Sequence, residues 1–366
     1  MSKLNKLYFG SVNPPIYQAS TILFENISEL ESSERQYGRV GTETNAALER
    51  EIARIENAER SVIVESGLAA ITNVLLSFLQ KGDHILLCKT AYQPTRDFCE
   101  KMLNKFGVDY DYFSGDANGD EIKKLAKNET KLILLESPAS IIFEIQELDE
   151  IINFAKEKNI LTVIDNTWSG GVLFKPHNLG IDVSIQSLSK YAGGHSDLIL
   201  GAISFKKLEI FKRFWPEFYQ LGSHASPQDC YLALRGLNTM ELRMKKHQEN
   251  ALKIADYLAS NAKVKEVIYP LSPNFKQKER FLKYFSGANG LLTISLNDSI
   301  SEKETKQFID NLNHIRLGYS WGGFESLVMF YKNYIPEAPL LLRFHIGIED
   351  ASLIIADLEQ AFDKIK

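Results

Sequence analysis

The apolar and polar positions divide the chain into three textures. Residues 1–41 keep no period. NPPIYQAST (13–21) holds two adjacent prolines that a helix interior rejects, and QYGRVGTETN (36–45) is polar and broken by glycine. A stretch so poor in patterned apolar residues is expected to lie across another surface, a partner subunit's being one candidate. NAALEREIARIENAE (45–59) then sets Leu48, Ile52 and Ile55 at helical spacing with charges outside, which predicts a helix.

From residue 61 short apolar runs alternate with helical stretches. SVIVESG (61–67), GDHILLCKT (82–90), VDYDYF (108–113), KLILLESP (131–138), ILTVIDNTW (160–168), IDVSIQSLSK (181–190) and LILGAISF (198–205) read as strands. GLAAITNVLLSFLQ (67–80), the run after AYQP, and ELDEIINFAKEKN (147–159) read as helices. Strands apolar on both faces and separated by helices predict a largely parallel sheet covered on each side, a doubly wound α/β domain. After residue 237 the texture changes again. A long amphipathic helix (239–261), strands at VKEVIYP (264–270), GLLTISL (290–296) and LLRFHIGI (341–348), and a last helix at 351–365 predict a smaller α+β unit. The expected division is an arm (1–41), a large domain (42–237) and a C-terminal domain (238–366), with no internal repeat.

Composition narrows the class. With 44% hydrophobic and 24% charged residues in 366, the chain is neither collagen-like, disordered nor a disulfide scaffold. Its 42 Lys and Arg against 47 Asp and Glu give a charge of −5, with no pull toward nucleic acid or an anionic membrane. Cys88, Cys99 and Cys230 have no CxxC spacing and read as reduced thiols. MSKLNKLYFGSVNPP has no apolar signal-peptide core, and no window reaches the roughly 18 apolar residues of a spanning helix. A cytoplasmic enzyme is expected.

The chemistry concentrates between residues 162 and 201. Asp165 ends one apolar strand, and Lys190 lies 25 positions on (190 − 165), in the polar cluster SLSKYAGGHSD after another. Ligands collect at the carboxyl ends of strands in open α/β sheets, so both side chains can face one crevice. A carboxylate and a lysine beside hydroxyls and glycine N–H groups suit pyridoxal phosphate, the lysine binding its aldehyde and the acid its ring nitrogen. Spacing alone leaves an alternative open, a surface lysine in a turn and an aspartate capping a helix. No HExxH, Cys/His pair or carboxylate cluster indicates a metal, and neither GxGxxG nor GxxxxGK[ST] occurs.

YGRVGT (37–42), VESGLAAI (64–71), TAYQPTRDFC (90–99), LLESPAS (134–140), DNTW (165–168) with IDVSIQSLSKYAGGHSD (181–197), GYSWGGFESL (318–327) and LLRFHIGIED (341–350) occur in order. Together they resemble the pyridoxal-phosphate enzymes of Cys/Met metabolism, most strongly the bacterial cystathionine β-lyase branch. The resemblance implies the aspartate-aminotransferase-like fold (fold type I), pyridoxal 5'-phosphate, and a homo-oligomer with shared active sites, at least a dimer and by family habit a tetramer. It makes Lys190 the cofactor lysine and Cα base, Asp165 the partner of the ring nitrogen, and Tyr92 the stacking tyrosine that assists proton transfer. Gly67, Leu68, Ser187 and Ser189 would hold the phosphate, joined by Tyr37 and Arg39 from the neighbouring subunit. Arg343 would grip the substrate carboxylate with Ser320 and Trp321 at the mouth, while Tyr219 and Asp97 are candidates for the distal end. His195 is read as a structural loop residue. The sequence departs from many family members at Ser140, where an asparagine usually meets the cofactor. Trp168 and Trp321 favour the β-lyase branch. The implied reaction is β-elimination of L-cystathionine, an amino-acid thioether, to homocysteine, pyruvate and ammonia. Alternatives are γ-lyase or γ-synthase chemistry, amino-acid racemisation in the same site, and a non-catalytic cofactor-binding regulator.

Overall fold

The computed structural model describes residues 10–335 and 338–365. Seven strands form one sheet: β1 (Arg60–Val64), β2 (His84–Cys88), β3 (Asp109–Phe113), β4 (Thr130–Glu136), β5 (Leu161–Asp165), β6 (Val183–Ser187) and β7 (Gly201–Phe205). Their order is β1-β7-β6-β5-β4-β2-β3, all parallel except β7, which runs antiparallel to both neighbours. This is the expected α/β architecture. Burial on both faces explains the near-continuous apolar runs, as in β2, where all five residues are buried.

Helices cover both sides. Gly67–Phe78 and Leu208–Leu221 press Ala70, Val74, Phe214 and Phe218 onto one face. On the other face, Leu148–Lys158 packs into an apolar core that continues into the C-terminal unit through Ile254, Leu292 and Phe344. That unit carries the second sheet: β8 (Val264–Ile268), β9 (Leu291–Leu296), β10 (Arg316–Leu317), β11 (Leu327–Ile335) and β12 (Ala338–His345) in the order β10-β11-β12-β9-β8. One continuous core therefore fixes where β12 stands relative to the ends of β4, β5 and β6.

Several elements have no counterpart in the sequence reading. Within the irregular arm, Asn26 caps a helix at Ile27–Ser32 by accepting from the Glu29 N–H at 2.9 Å. The helix Leu208–Leu221 runs through Pro216, and Pro227–Leu237 starts on its proline with Ser226 as cap. Strand β11 mixes aromatic, polar and charged residues, and its pairing with β12 is irregular between Lys332 and Ile335, so no clean period marks it. Among the described residues no helix is long and apolar enough to cross a membrane.

Candidate active site

Three neighbouring parallel strands end at one place. In the β4–β5–β6 ladder Glu136 is registered with Asp165, and Asp165 with Ile185. Asp165 therefore leaves the sheet beside the turn 188–190 that carries Lys190. Its carboxylate accepts the Thr167 N–H at 3.0 Å and the Thr167 hydroxyl at 2.5 Å. The same hydroxyl accepts the Ser187 N–H at 2.9 Å, which ties β5 to β6 at the site. Burial raises the Asp165 carboxyl, while Thr167 and the Lys190 charge oppose that rise. Lys190 Nζ donates to Ser320 Oγ at 2.7 Å and lies 5.7 Å from the Trp321 ring. Burial first, then the Arg343 charge, bring its ammonium down to about 8, with Asp165 opposing. A lysine so placed reaches its nucleophilic form near neutral pH.

The turn carrying Ser320 is built to touch Lys190. Ser320 adopts φ +84° and Gly322 φ +86°, a conformation that favours glycine. A Cβ on Gly322 would come within 2.8 Å of the Lys190 carbonyl carbon. The Gly322 N–H is accepted by His345 Nε2 at 3.0 Å, and burial keeps that imidazole neutral. Two residues before His345 on β12, Arg343 is 9% exposed, and its contact with the Ser320 carbonyl is long at 3.4 Å. Its guanidinium lies 5.4 Å from the Tyr331 ring, and the groups around it are the tyrosines 331, 334, 92 and 191. Among the described residues no carboxylate pairs with this buried cation. Burying an unpaired charge costs several kcal/mol, on the order of 3–5 when a partner is missing. Its fork is thus built for an anion from outside.

Gly67 and Leu68 open the helix that follows β1. The Ser66 side chain accepts the Ala69 N–H at 3.0 Å. That leaves the N–H groups of Gly67 and Leu68, which no helical turn can satisfy, facing out at the positive end of the helix. A Cβ on Gly67 would meet Ser187 Cβ at 2.6 Å, so only glycine lets these two elements approach. An anion cradle, a half-buried lysine with a lowered pKa and a half-buried aspartate on one sheet edge fit pyridoxal phosphate: Gly67 and Leu68 for its phosphate, Lys190 for its aldehyde and Asp165 for its ring nitrogen.

The structure brings most of the expected residues together and separates a few. Tyr92 caps the helix Gln93–Phe98 and feels Asp165, Glu136 and Arg343; burial and the two acids raise its phenol, which therefore stays protonated. Ser189 is taken up by its own loop, its hydroxyl accepting the Leu200 N–H at 3.1 Å. Arg39 donates to the Tyr219 carbonyl at 3.2 Å and covers the Tyr219 ring at 4.6 Å. Tyr37 pairs with Thr21 in the arm. Tyr219 therefore meets Arg39 and Trp215 instead of Arg343 within this chain. Asp97 is bound by Gln93 at 2.9 Å and Lys101 at 3.3 Å on an exposed face of the helix that follows Tyr92. His195 binds the Gly193 carbonyl at 2.8 Å, as a loop residue does. Ser140 contributes its carbonyl, which accepts the Tyr334 hydroxyl at 3.0 Å. Trp168 is a core residue, edge-on to Phe281 and Phe285 at 6.0 and 5.6 Å. Its value as a branch marker therefore rests on resemblance alone.

Sequence reasoning missed Thr167, Glu136, Gly322, His345 and Tyr331. Thr167 and Glu136 had a signal, since each stands at a strand end beside a residue already chosen. Gly322, His345 and Tyr331 depend on how the second sheet folds over the first.

Comparison with known proteins agrees with this geometry. The chain is 34% identical to the cystathionine β-lyase of Escherichia coli K12, covering 98% of this chain and 95% of that protein. It is 35% identical to an L-alanine/L-glutamate racemase of Wolbachia pipientis, over 98% and 94%. Among solved structures, cystathionine γ-synthase of Xanthomonas oryzae matches with a TM-score of 0.91 at 30% identity over 97% and 94% of the two chains. A Campylobacter jejuni protein described as a putative O-acetylhomoserine (thiol)-lyase, with a pyridoxyl-lysine phosphate residue, matches with a TM-score of 0.89 at 28% identity over 96% and 95%. Residues 2–363 match the family described as Cys/Met metabolism PLP-dependent enzyme, and the chain belongs to that family of pyridoxal-phosphate-dependent enzymes.

Proposed function

We propose that this enzyme is a carbon–sulfur lyase that cleaves L-cystathionine by β-elimination to homocysteine, pyruvate and ammonia. The observation that carries an amino-acid substrate is Arg343, a buried guanidinium with an open fork a short way from Lys190. The choice of a β-lyase is supported by the relatives of that name, such as the E. coli protein. When bound, the cofactor supplies an electron sink for negative charge at the substrate Cα. Arg343 holds the α-carboxylate in a bidentate grip, which fixes the direction of the Cα–H bond. The amine of Lys190, lowered by burial and Arg343, takes the Cα proton, and the Ser320 hydroxyl at 2.7 Å steers it. Asp165 holds the ring nitrogen as N–H. The Tyr92 phenol, kept protonated, is the donor for the departing sulfur, with Lys190 as the alternative.

Incubation of the loaded enzyme with L-cystathionine and identification of products by NMR tests this reading. Pyruvate with homocysteine is expected. 2-Oxobutyrate with cysteine would move the enzyme to γ-elimination.

A second reading, racemisation of small amino acids, is favoured by the Wolbachia relative. It requires a proton donor across the substrate from Lys190, and Tyr92 is the candidate. Tyr92→Phe should then lower alanine racemisation along with Lys190→Ala; an unchanged rate in Tyr92→Phe would remove Tyr92 from that role. We further assign Tyr37 and Arg39 to a partner subunit's phosphate, which requires at least a dimer. The arm exposes Val12, Leu23 and Ile27, apolar residues suited to burial against a second copy. Sedimentation should report a dimer or tetramer, and a monomer with full activity would sink this assignment.

A further inference from the structure

Among the described residues, the turn that carries Ser320 makes no backbone–backbone hydrogen bond between Tyr319 and Gly323. The ladders of the second sheet therefore do not fix its shape. Ser320 nevertheless stands at φ +84°, where a residue with a side chain stays only if its surroundings hold it. From β12, Arg343 reaches the Ser320 carbonyl at a long 3.4 Å. His345 does better, its Nε2 accepting the Gly322 N–H at 3.0 Å. Gly322 in turn lies against the backbone of the lysine loop, where a Cβ would come within 2.7 Å of the Tyr191 nitrogen. One buried imidazole thus presses the turn onto the loop whose lysine amine meets Ser320 Oγ at 2.7 Å.

The proton of this imidazole belongs on Nδ1. Nε2 also stands 3.1 Å from the Gly323 carbonyl, but one nitrogen cannot accept and donate at once, and the Gly322 N–H requires it bare. The His247 ring, 5.0 Å away, gives its Nδ1–H to the Ile346 carbonyl at 2.8 Å, which leaves its Nε2 bare. His345 Nδ1 and His247 Nε2 have no partner among the described residues. A proton on His345 Nδ1 gives this ring pair one open donor and one open acceptor, in place of two open acceptors. The charged groups facing His345 are His247 of the helix Met240–Ser260 when protonated, Arg343 of its own strand and Lys190 of the loop. All are cationic, so with burial they keep the ring neutral.

We propose that His345 is a positioning residue that holds the Ser320 hydroxyl on Lys190 by receiving the Gly322 N–H. It acts through the turn and not on the reacting atoms. The hydroxyl accepts from Lys190, and a bond of that kind favours the ammonium. Without the acceptor at His345 the Gly322 N–H turns to another partner, the strained turn relaxes and Lys190 loses the hydroxyl. The amine should then lose its proton at lower pH. Damage to Arg343, two residues away on the same strand, would act in the opposite sense, because a positive neighbour of Lys190 would be lost. The inference rests on the reading of Lys190 as the cofactor lysine.

The test compares His345→Gln with His345→Asn. Glutamine carries an amide oxygen at the reach of Nε2, whereas asparagine has the same polar group one carbon short. Capture of pyridoxal phosphate by the cofactor-free full chain is followed by stopped-flow absorbance across pH, with urea midpoints measured alongside. The capture midpoint of His345→Asn should fall by about half a pH unit, about threefold in free amine on the acid limb. Ser320→Ala should show the same fall, and His345→Asn in that background should add nothing. His345→Gln should keep the wild-type midpoint even where its urea midpoint drops. An unmoved midpoint in His345→Asn or Ser320→Ala, an equal fall in His345→Gln, a rise, or a fall that adds to that of Ser320→Ala overturns the proposal. Capture by Lys190→Ala with the wild-type pH profile would remove Lys190 as the cofactor lysine, and this inference with it.

Discussion

Among the described residues two arginines are buried, and they are buried differently. Arg243, on the helix Met240–Ser260, is 7% exposed and gives Nη2 to the carbonyls of Tyr191 and Gly236, both at 2.8 Å, and Nε to Thr239 at 3.2 Å. It closes the loop after Lys190 so tightly that a Cβ on Gly194 would meet its Nη1 at 2.0 Å. Arg343 is as deep but makes one long contact and rests on a tyrosine face. Burial of a cation is therefore not the mark of a binding site. Nor is one open donor, since Arg243 Nη1 is also buried without a partner; what sets Arg343 apart is a guanidinium with no short bond to a carbonyl or an acid, the groups that satisfy an interior charge.

The largest effect that would break this comparison is on turnover. Arg343→Ala should lower kcat/KM for L-cystathionine by roughly 30- to several-thousand-fold, the ~2–5 kcal/mol of a buried charge pair, with its unfolding midpoint raised or unchanged, because an unpaired buried charge is removed. Arg243→Met should do the reverse. Two carbonyls lose a donor, costing about 2–4 kcal/mol in urea unfolding, while kcat/KM falls by less than in Arg343→Ala. If Arg243→Met cost more activity than Arg343→Ala, the assignment of an open and a closed arginine would be wrong.

A smaller effect sharpens the difference through Lys190. Burial first, and then the Arg343 charge, lower the Lys190 amine to about 8 in the cofactor-free chain. The rate of pyridoxal phosphate capture should rise with pH and level off above about 8. In Arg343→Ala a positive neighbour is gone, so the rise should move to higher pH. Arg243→Met should leave it in place. Stopped-flow absorbance distinguishes the two.

The smallest effect concerns acids divided in the same way. Glu56 is wholly buried and accepts Asn166 Nδ2 at 3.0 Å and Gln186 Nε2, from the residues next to Asp165 and Ser187. Burial raises its carboxyl from 4.5 to about 7 against those hydrogen bonds. A carboxyl raised in the folded state binds its proton more tightly there than in the unfolded chain. Its contribution to stability is full below pH 4.5 and is lost as pH rises through about 7, by up to about 1.4 kcal/mol per pH unit. Glu56→Gln should flatten that slope in urea titrations; an unchanged slope would assign the pH dependence to other groups.

Much of this was legible in the sequence because strand ends are local facts. The apolar runs locate β4, β5 and β6, so Asp165 and the lysine turn after β6 are found by reading along the chain. Arg343 is legible as an arginine inside an apolar strand, and its role came from resemblance. The tie from Ser320 to Lys190 is not local. It needs the second sheet laid against the first, a turn with Ser320 and Gly322 at positive φ, and His345 beneath it. Glu136 fell between the two cases, since its strand was read but its register with Asp165 was not. The place of Tyr219 is not local either: a helix through Pro216 carries it to Arg39 within this chain.

The central claim is that the open fork of Arg343 awaits a carboxylate. A crystal structure of the pyridoxal-phosphate-loaded protein with glycine bound tests it most directly, since glycine offers little beyond an amine and a carboxylate. The account expects both glycine oxygens within hydrogen-bond distance of the Arg343 guanidinium. A carboxylate seated on Arg39 or another cation, with Arg343 untouched, would contradict it.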